Sequence, residues 1–453
     1  MTVTVRPAAD GLDLRLWQLV APWLPGRRWY PGGSPPSPAE PWLVVTFDDD
    51  PRVQLVLARL DGSDVVVHVP LVVEPVTGPV DATESTPIGV VDGLAVYDGG
   101  THPACWLAFL GEMGLGHDPA LVGGGRALSG EQSNTSVVLP GVPSGSGAGG
   151  MLKILRTVGT GAHPDVVIPQ ALTDAGWDGV PRFLGALEIH LPAEAGDAGD
   201  AAMTGALTAH LAVLAELVPD AHDGFELACE LASSGTSFAP LAADLGRVVA
   251  ELHATLRSAV APGPPLDPHA FVAGLRRRAT AAIAEAPTLA SRAPEIVTVL
   301  DDLEERLTSA AAAHATGIPT QTIHGDLHLG QALHGATGWK LLDFEGEPQR
   351  PVAERTAPDL PLRDVAGMLR SFGYAAAVGG ASDPSWETDA ADAFLSAYRS
   401  AAGGAPGLDD ATADAVLRAL VLDKALYEVV YETRQRPDWV AIPLAAVDRS
   451  LGA

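Results

Sequence analysis

The chain has 453 residues, 47% of them hydrophobic and 19% charged, which excludes a disordered segment and leaves room for two or three domains. Its 28 Lys and Arg stand against 56 Asp and Glu, a formal net charge of −28, which excludes non-specific binding to nucleic acid or anionic lipid. No apolar run approaches the roughly 18 residues that span a bilayer, and the N-terminal stretch lacks the apolar centre of a signal peptide.

The first stretch, to about residue 118, reads as β-rich. Leu43–Phe47, Val53–Leu57 and Val65–Val69 are strand-like runs between Asp, Gly and Pro turns, and a helix is expected over Pro103–Met113. A hairpin with a long tip follows: Glu131–Leu139, a Gly-, Ser- and Pro-rich turn over 140–150, then Met151–Leu155. In that last strand Lys153 alternates onto the opposite face from Leu152 and Ile154. From about residue 200 the pattern is mainly helical. Leu241–Leu256, Ala-rich stretches between 270 and 315, and Ala411–Arg434 ended by Pro437 carry it, with loops at Gly196–Asp200 and Gly403–Gly407. The two cysteines, Cys105 and Cys229, lie far apart and suit free thiols in a reducing compartment, so the chain is expected to be cytoplasmic.

The chemistry is concentrated in His324-Gly325-Asp326-Leu327-His328-Leu329-Gly330-Gln331, followed by Leu341-Leu342-Asp343-Phe344-Glu345. A carboxylate, an amide five residues later and a second carboxylate after an apolar run suffice to move a phosphoryl group from Mg-ATP to a hydroxyl. Protein kinases write this H-R-D-x-x-x-x-N and D-F-G; Gly325 in place of Arg points to a small-molecule acceptor. Asp326 would orient and deprotonate the hydroxyl, and Gln331 and Asp343 would hold Mg²⁺. Lys153 would grip the ATP phosphates, together with the hydroxyls, amide and backbone N–H groups of Ser133, Asn134, Thr135 and Ser136. His324 and His328 are four apart, the spacing of a zinc pair, but Gly325 argues against one helix carrying both imidazoles. Further on, Tyr427 with Tyr431 and Glu428 with Glu432 recur at i,i+4 on one helix, close to Arg434, Arg436, Asp438 and Trp439. Carboxylates beside aromatic faces suit a sugar.

Together these residues resemble the actinobacterial maltokinase-like family, a branch of the aminoglycoside-phosphotransferase superfamily. The resemblance takes in Leu24–Tyr30, Glu131–Val137, Lys153, His324–Gln331, Leu341–Pro348, Pro361–Gly367 and Leu422–Leu444. It implies an α+β, eukaryotic-protein-kinase-like bilobal fold. An N-terminal cap subdomain would occupy 1–118, an intermediate β-rich subdomain 119–199, and a helical C-lobe with catalytic loop and sugar site 200–453. ATP would bind between the lobes. Two activities look similar within the family: phosphorylation of maltose to maltose 1-phosphate and of glucosamine to glucosamine 6-phosphate.

Three departures from the maltokinase pattern favour glucosamine. Pro31-Gly32-Gly33-Ser34 replaces a small-Gly-basic run, Val167 stands where the family often has Glu, and Gly373 stands at another frequent Glu. Val167 leaves Lys153 with Asp165 as a candidate partner, or with none until ATP binds. Sugar recognition is expected from Asp326, His328, Glu428, Glu432, Arg436, Asp438 and Trp439. An ammonium at C2 would gain a charge-assisted contact worth roughly 1.5–3 kcal/mol. The expected cofactors are ATP and Mg²⁺, and the expected partner is a small-molecule sugar, with no nucleic acid, no membrane and a monomeric chain. The rival from another class is a nucleotide-binding pseudokinase, favoured only by Val167 and by Gln331 in place of Asn.

Overall fold

A computed structural model describes residues 5–31, 36–47, 51–76, 86–128, 133–192, 207–347 and 355–452. Glu131, Gln132, Pro348, the 32–34 stretch and the loop expected at Gly196–Asp200 lie outside these residues. The chain divides into two compact units, Met1–Gln170 with Pro181–Pro219, and Ala171–Val180 with Asp220–Ala453.

In the first unit an antiparallel sheet runs Val5–Pro7, Ala39–Phe47, Arg52–Leu60, Val66–Pro75, Leu94–Asp98, Gly89–Val91, with Thr157–Val158 paired to Val66 and Val67. The three expected strands are present, each longer than its apolar run. Arg52–Leu60 explains the run: Val53, Leu55 and Leu57 enter one core, while Val56, Ala58 and Leu60 enter another on the opposite face. A strand buried on both faces has no polar side to alternate with. Its one buried amide, Gln54, donates to Gly11 O at 3.1 Å and Thr46 Oγ1 at 3.2 Å, while its Oε1 has no partner among the described residues.

A second antiparallel sheet runs Phe183–Leu191, Leu207–Glu216, Gly150–Ile154, Thr135–Leu139, Arg126–Ala127. The expected hairpin is its centre, with Thr135 opposite Ile154 and Leu139 opposite Gly150. The helix Pro103–Glu112 contributes Cys105, Trp106, Phe109 and Leu110 to a core shared with both sheets. The expected start of the helical part at residue 200 is early. Leu207–Glu216 is a ten-residue strand with its middle buried, and the first helix after it is Gly224–Ser233. Leu, Ala and Val dominate that strand, so composition alone does not separate it from a buried helix.

The second unit is built on helices Gly224–Ser233, Ala239–Ala259, Pro268–Glu285, Ala293–Ala313, Leu362–Gly379, Trp386–Ala402, Asp410–Gln435 and Ala441–Leu451. Asp223, Asp267 and Asp409 cap three of them through backbone N–H groups. A small antiparallel sheet of His222–Asp223, Ala332–Gly335 and Gly338–Leu341 carries the segment between His324 and Asp343. No described helix is long and apolar enough to cross a membrane.

Candidate active site

The loop 324–331 is held from beneath by one buried carboxylate. Asp364, on the helix Leu362–Gly379, accepts from the N–H of His324 at 2.8 Å and of Gly325 at 2.9 Å, and bonds His253 Nε2 at 3.0 Å. Burial alone would raise Asp364, but the hydrogen bond and charge of His253, then His324 and the Gly325 N–H, hold it below the usual carboxylate range. Gly325 takes φ +87°, a left-handed conformation that places Asp326 beyond the turn, and a Cβ there would sit 3.3 Å from Gly346 Cα.

His324 buttresses the loop from within. Its Nε2 bonds Leu342 O at 2.7 Å, and its Nδ1 accepts from the Asp326 N–H at 3.4 Å. His328 Nδ1 accepts from the Gly330 N–H at 3.1 Å and caps the short turn Leu329–Gln331. Both imidazoles are thus engaged by backbone, which removes the zinc pair. Burial holds His328 below its ordinary value, so the imidazole is neutral at pH 7 and an acceptor at Nδ1.

Gln331 and Asp343 meet. Gln331 Nε2 donates to Asp343 Oδ2 at 3.2 Å, with Asp343 in a left-handed conformation at φ +63°. Two side chains bearing hard oxygens at this separation suit Mg²⁺, and the amide need only turn its oxygen inward to join the carboxylate as a ligand. Asp326 faces a cavity of about 380 Å³ whose lining includes Tyr427, Tyr431, Glu347 and Lys424. The two tyrosine rings are stacked with centroids 6.4 Å apart, giving a sugar-sized space an aromatic side.

Lys424 stands outside the sequence motifs that name the other residues of the site. From the middle of the helix Asp410–Gln435 its Nζ donates to Asp326 Oδ1 at 3.0 Å and to Glu347 Oε1 at 2.8 Å. Burial would lower this lysine, but the charges of Asp326 and Glu347 outweigh it and raise it above the ordinary value, so it stays cationic.

Four of the expected sugar-recognising residues lie together around a polar cluster outside the lining of that cavity. Glu428 Oε2 accepts from Arg370 Nε at 2.9 Å and Nη2 at 2.7 Å. Glu432 accepts from the Tyr374 hydroxyl at 3.0 Å and from Arg436 at 2.7 and 2.8 Å. The Arg436 guanidinium covers the Trp439 ring at 4.2 Å. Both carboxylates are buried, and burial raises Glu428 above the usual range despite Arg370. Each therefore holds a protein cation. Asp438 is exposed and makes no side-chain hydrogen bond among the described residues. At Gly373 a Cβ would lie 2.8 Å from Glu387 Oε1 and 3.4 Å from Arg370 Nη1, so Glu387 fills the space a residue-373 side chain would enter.

In the first unit Lys153 pairs with Asp165, the first-turn acid of the helix Pro164–Asp174 and one of the two outcomes that Val167 left open. Ser136 stands opposite Lys153 in the ladder, on the same face, while Val137 and Leu152 are buried on the other. Ser133 is exposed. Asn134 and Thr135 are turned elsewhere: Asn134 Oδ1 accepts from the Arg156 N–H at 3.1 Å, and Thr135 Oγ1 from Arg156 Nε at 2.9 Å. Their side chains brace Arg156 instead of facing a phosphate, a role that the polar run alone did not reveal.

Comparison with known proteins agrees with this layout. Residues 23–101 match the maltokinase N-terminal cap domain and residues 192–408 match the phosphotransferase enzyme family. A glucosamine kinase of Mycolicibacterium smegmatis is 29% identical over 341 residues, covering 72% of this chain and 79% of that protein. A solved glucosamine kinase (crystal form B) superposes with a TM-score of 0.65 at 22% identity, over 96% of this chain and 99% of that one. A glucosamine kinase in complex with glucosamine, ADP and inorganic phosphate gives a TM-score of 0.63 at 22% identity, over 95% and 98%. The fold is therefore the phosphotransferase kinase-like one, sheet-rich first and helical after, and the chain is similar to the maltokinase N-terminal cap over 23–101 and to the phosphotransferase enzyme family over 192–408.

Proposed function

We propose that the protein is an ATP-dependent sugar kinase whose acceptor is glucosamine and whose product is glucosamine 6-phosphate. The observation that carries the reading is Asp326, a carboxylate fixed by a buttressed loop at a cavity with an aromatic side, in the same unit as the Gln331–Asp343 pair. The glucosamine kinase of M. smegmatis supports the choice of acceptor.

The acceptor oxygen bonds to the γ-phosphorus as the bond from phosphorus to the β,γ-bridging oxygen breaks and ADP leaves. The hydroxyl proton passes to Asp326. A sugar hydroxyl is too weak an acid for a carboxylate to ionise beforehand, so Asp326 chiefly orients it and takes the proton late. Lys153, Ser133, Ser136 and the backbone N–H groups of 133–136 hold phosphate oxygens. Gln331 and Asp343 would hold Mg²⁺, which would neutralise charge on the phosphates. Tyr427 and Tyr431 stack on the sugar. Glu428, Glu432, Arg436 and Trp439, outside the cavity lining, brace the end of the helix that carries the two tyrosines through their own pairings, and His328 fixes the loop that carries Asp326.

The match of residues 23–101 to the maltokinase cap favours a second reading, maltose phosphorylated at C1. ADP release with glucosamine and maltose in parallel, with the phosphorylated carbon read by NMR, separates them. Glucosamine 6-phosphate supports the first reading. Maltose 1-phosphate replaces it with the second. Mg-ATP binding with turnover of neither sugar removes both.

A further inference from the structure

We infer that Lys424 is a positioning residue for phosphoryl transfer: held by Glu347, its ammonium clamps Asp326 Oδ1 and presents Oδ2 to the acceptor hydroxyl. The inference rests on the reading of Asp326 as the carboxylate that orients the acceptor. Lys424 is the only described side chain that hydrogen-bonds the Asp326 carboxylate, at 3.0 Å to Oδ1. A carboxylate on a short stem rotates in a broad, two-fold well, and a loop alone does not fix which oxygen faces the substrate. One hydrogen bond from a rigid helix does. The second bond, to Glu347 at 2.8 Å, fixes the ammonium in turn, and the Tyr427 ring lies 5.2 Å from Nζ. The lysine is 23% exposed, too enclosed to be a solvated surface pair.

Glu347 has a further use in the chemistry. During transfer the hydroxyl proton moves onto Asp326, which becomes neutral. Lys424 neither gives nor takes a proton, and without Glu347 its charge would then stand uncompensated in an enclosed site. With Glu347 it remains paired throughout the step. Lys424 lies beyond residues 192–408, the stretch matched by the phosphotransferase family, whereas Asp326 and Glu347 lie within it.

The test compares wild type with Lys424→Met, Lys424→Arg, Glu347→Gln and Asp326→Asn, using Mg-ATP with glucosamine and, in parallel, maltose. Lys424→Met should lower kcat about 100-fold, the usual scale for a displaced catalytic group, with KM for ATP within about twofold. Lys424→Arg should recover kcat to within about tenfold of wild type, because a guanidinium can still bridge the two carboxylates. Glu347→Gln should lower kcat about fivefold or more by the same argument. A Lys424→Met kcat within about threefold of wild type overturns the inference, as does Lys424→Arg no better than Lys424→Met. If Lys424→Met fails to fold by circular dichroism, Glu347→Gln decides, and an unchanged kcat overturns the proposal. Asp326→Asn turning over at the wild-type rate would instead remove the assignment of Asp326 on which the clamp depends.

Discussion

Arg156 in the first unit and Lys424 in the second are enclosed cations, and the two are handled differently. In the first, Arg156 is fully buried. Its Nη2 donates to both oxygens of Asp98 at 3.0 Å, its Nε to Thr135, and its plane lies 4.3 Å from the centre of the Trp29 ring. Gly100 beside it leaves no space for a Cβ. In the second, Lys424 is partly open and shared between two carboxylates. The sealed cation is matched charge for charge by a rigid fork and ties three distant segments together. The open one leaves an excess negative charge beside a cavity. A neutral, closed cluster is architecture, and an unbalanced, open one is poised to meet a ligand.

The sharpest way to separate them is to remove a carboxylate from the open cluster. Asp326→Asn should cut kcat roughly 10³–10⁴-fold while Mg-ATP binding, read by calorimetry, persists. The counterpart in the sealed cluster is Arg156→Met, which strands Asp98. It should cost about 3–5 kcal/mol in a urea melt, with nucleotide binding lost only as the protein unfolds. A soluble, stable Arg156→Met protein would break the comparison.

Asp364 is the intermediate case, buried like Arg156 yet beneath the catalytic loop. Asp364→Asn loses a charged acceptor for the His324 and Gly325 N–H groups, and should cost about 2 kcal/mol of stability and lower kcat together. Loss of stability with an unchanged kcat would place Asp364 wholly on the architectural side.

The smallest effect concerns pH. Beside Arg156, His68 is fully buried, with Nδ1 bonded to Leu155 O at 2.8 Å and no partner for Nε2 among the described residues. Burial pushes it down to about 3, with the Arg156 charge adding to the shift and the Leu155 carbonyl opposing it. A depressed value means that the contribution to stability is complete above the unfolded value of about 6.5 and is lost as pH falls toward the folded one. Each pH unit within that window should remove up to about 1.4 kcal/mol. His68→Gln, measured by urea midpoints at pH 7 and 5, should flatten the slope.

The contrast also explains what the sequence disclosed. Asp326, Gln331 and Asp343 are legible because their chemistry needs a fixed spacing along one loop and strand. Lys153 is legible because strand alternation sets it against Leu152 and Ile154, and Asp165 is a candidate once Val167 is seen to be apolar. Lys424 lies 98 residues from Asp326 and Arg156 lies 58 from Asp98, and no local pattern links such partners. Glu428 and Glu432 show the limit of such a pattern. Their i,i+4 spacing correctly put them on one helical face, but only the fold reveals that Arg370, Tyr374 and Arg436 already occupy them. In the same way Asn134 and Thr135 read as phosphate ligands until Arg156 is seen behind them.

Glu387 at the empty space beside Gly373 limits which side chains residue 373 can carry. A carboxylate introduced by Gly373→Glu would meet the one that Glu387 brings to the same place from a neighbouring helix, so two acids would share one space. The glycine is the complement of a distant acid, and substitutions at the two positions should be coupled rather than additive.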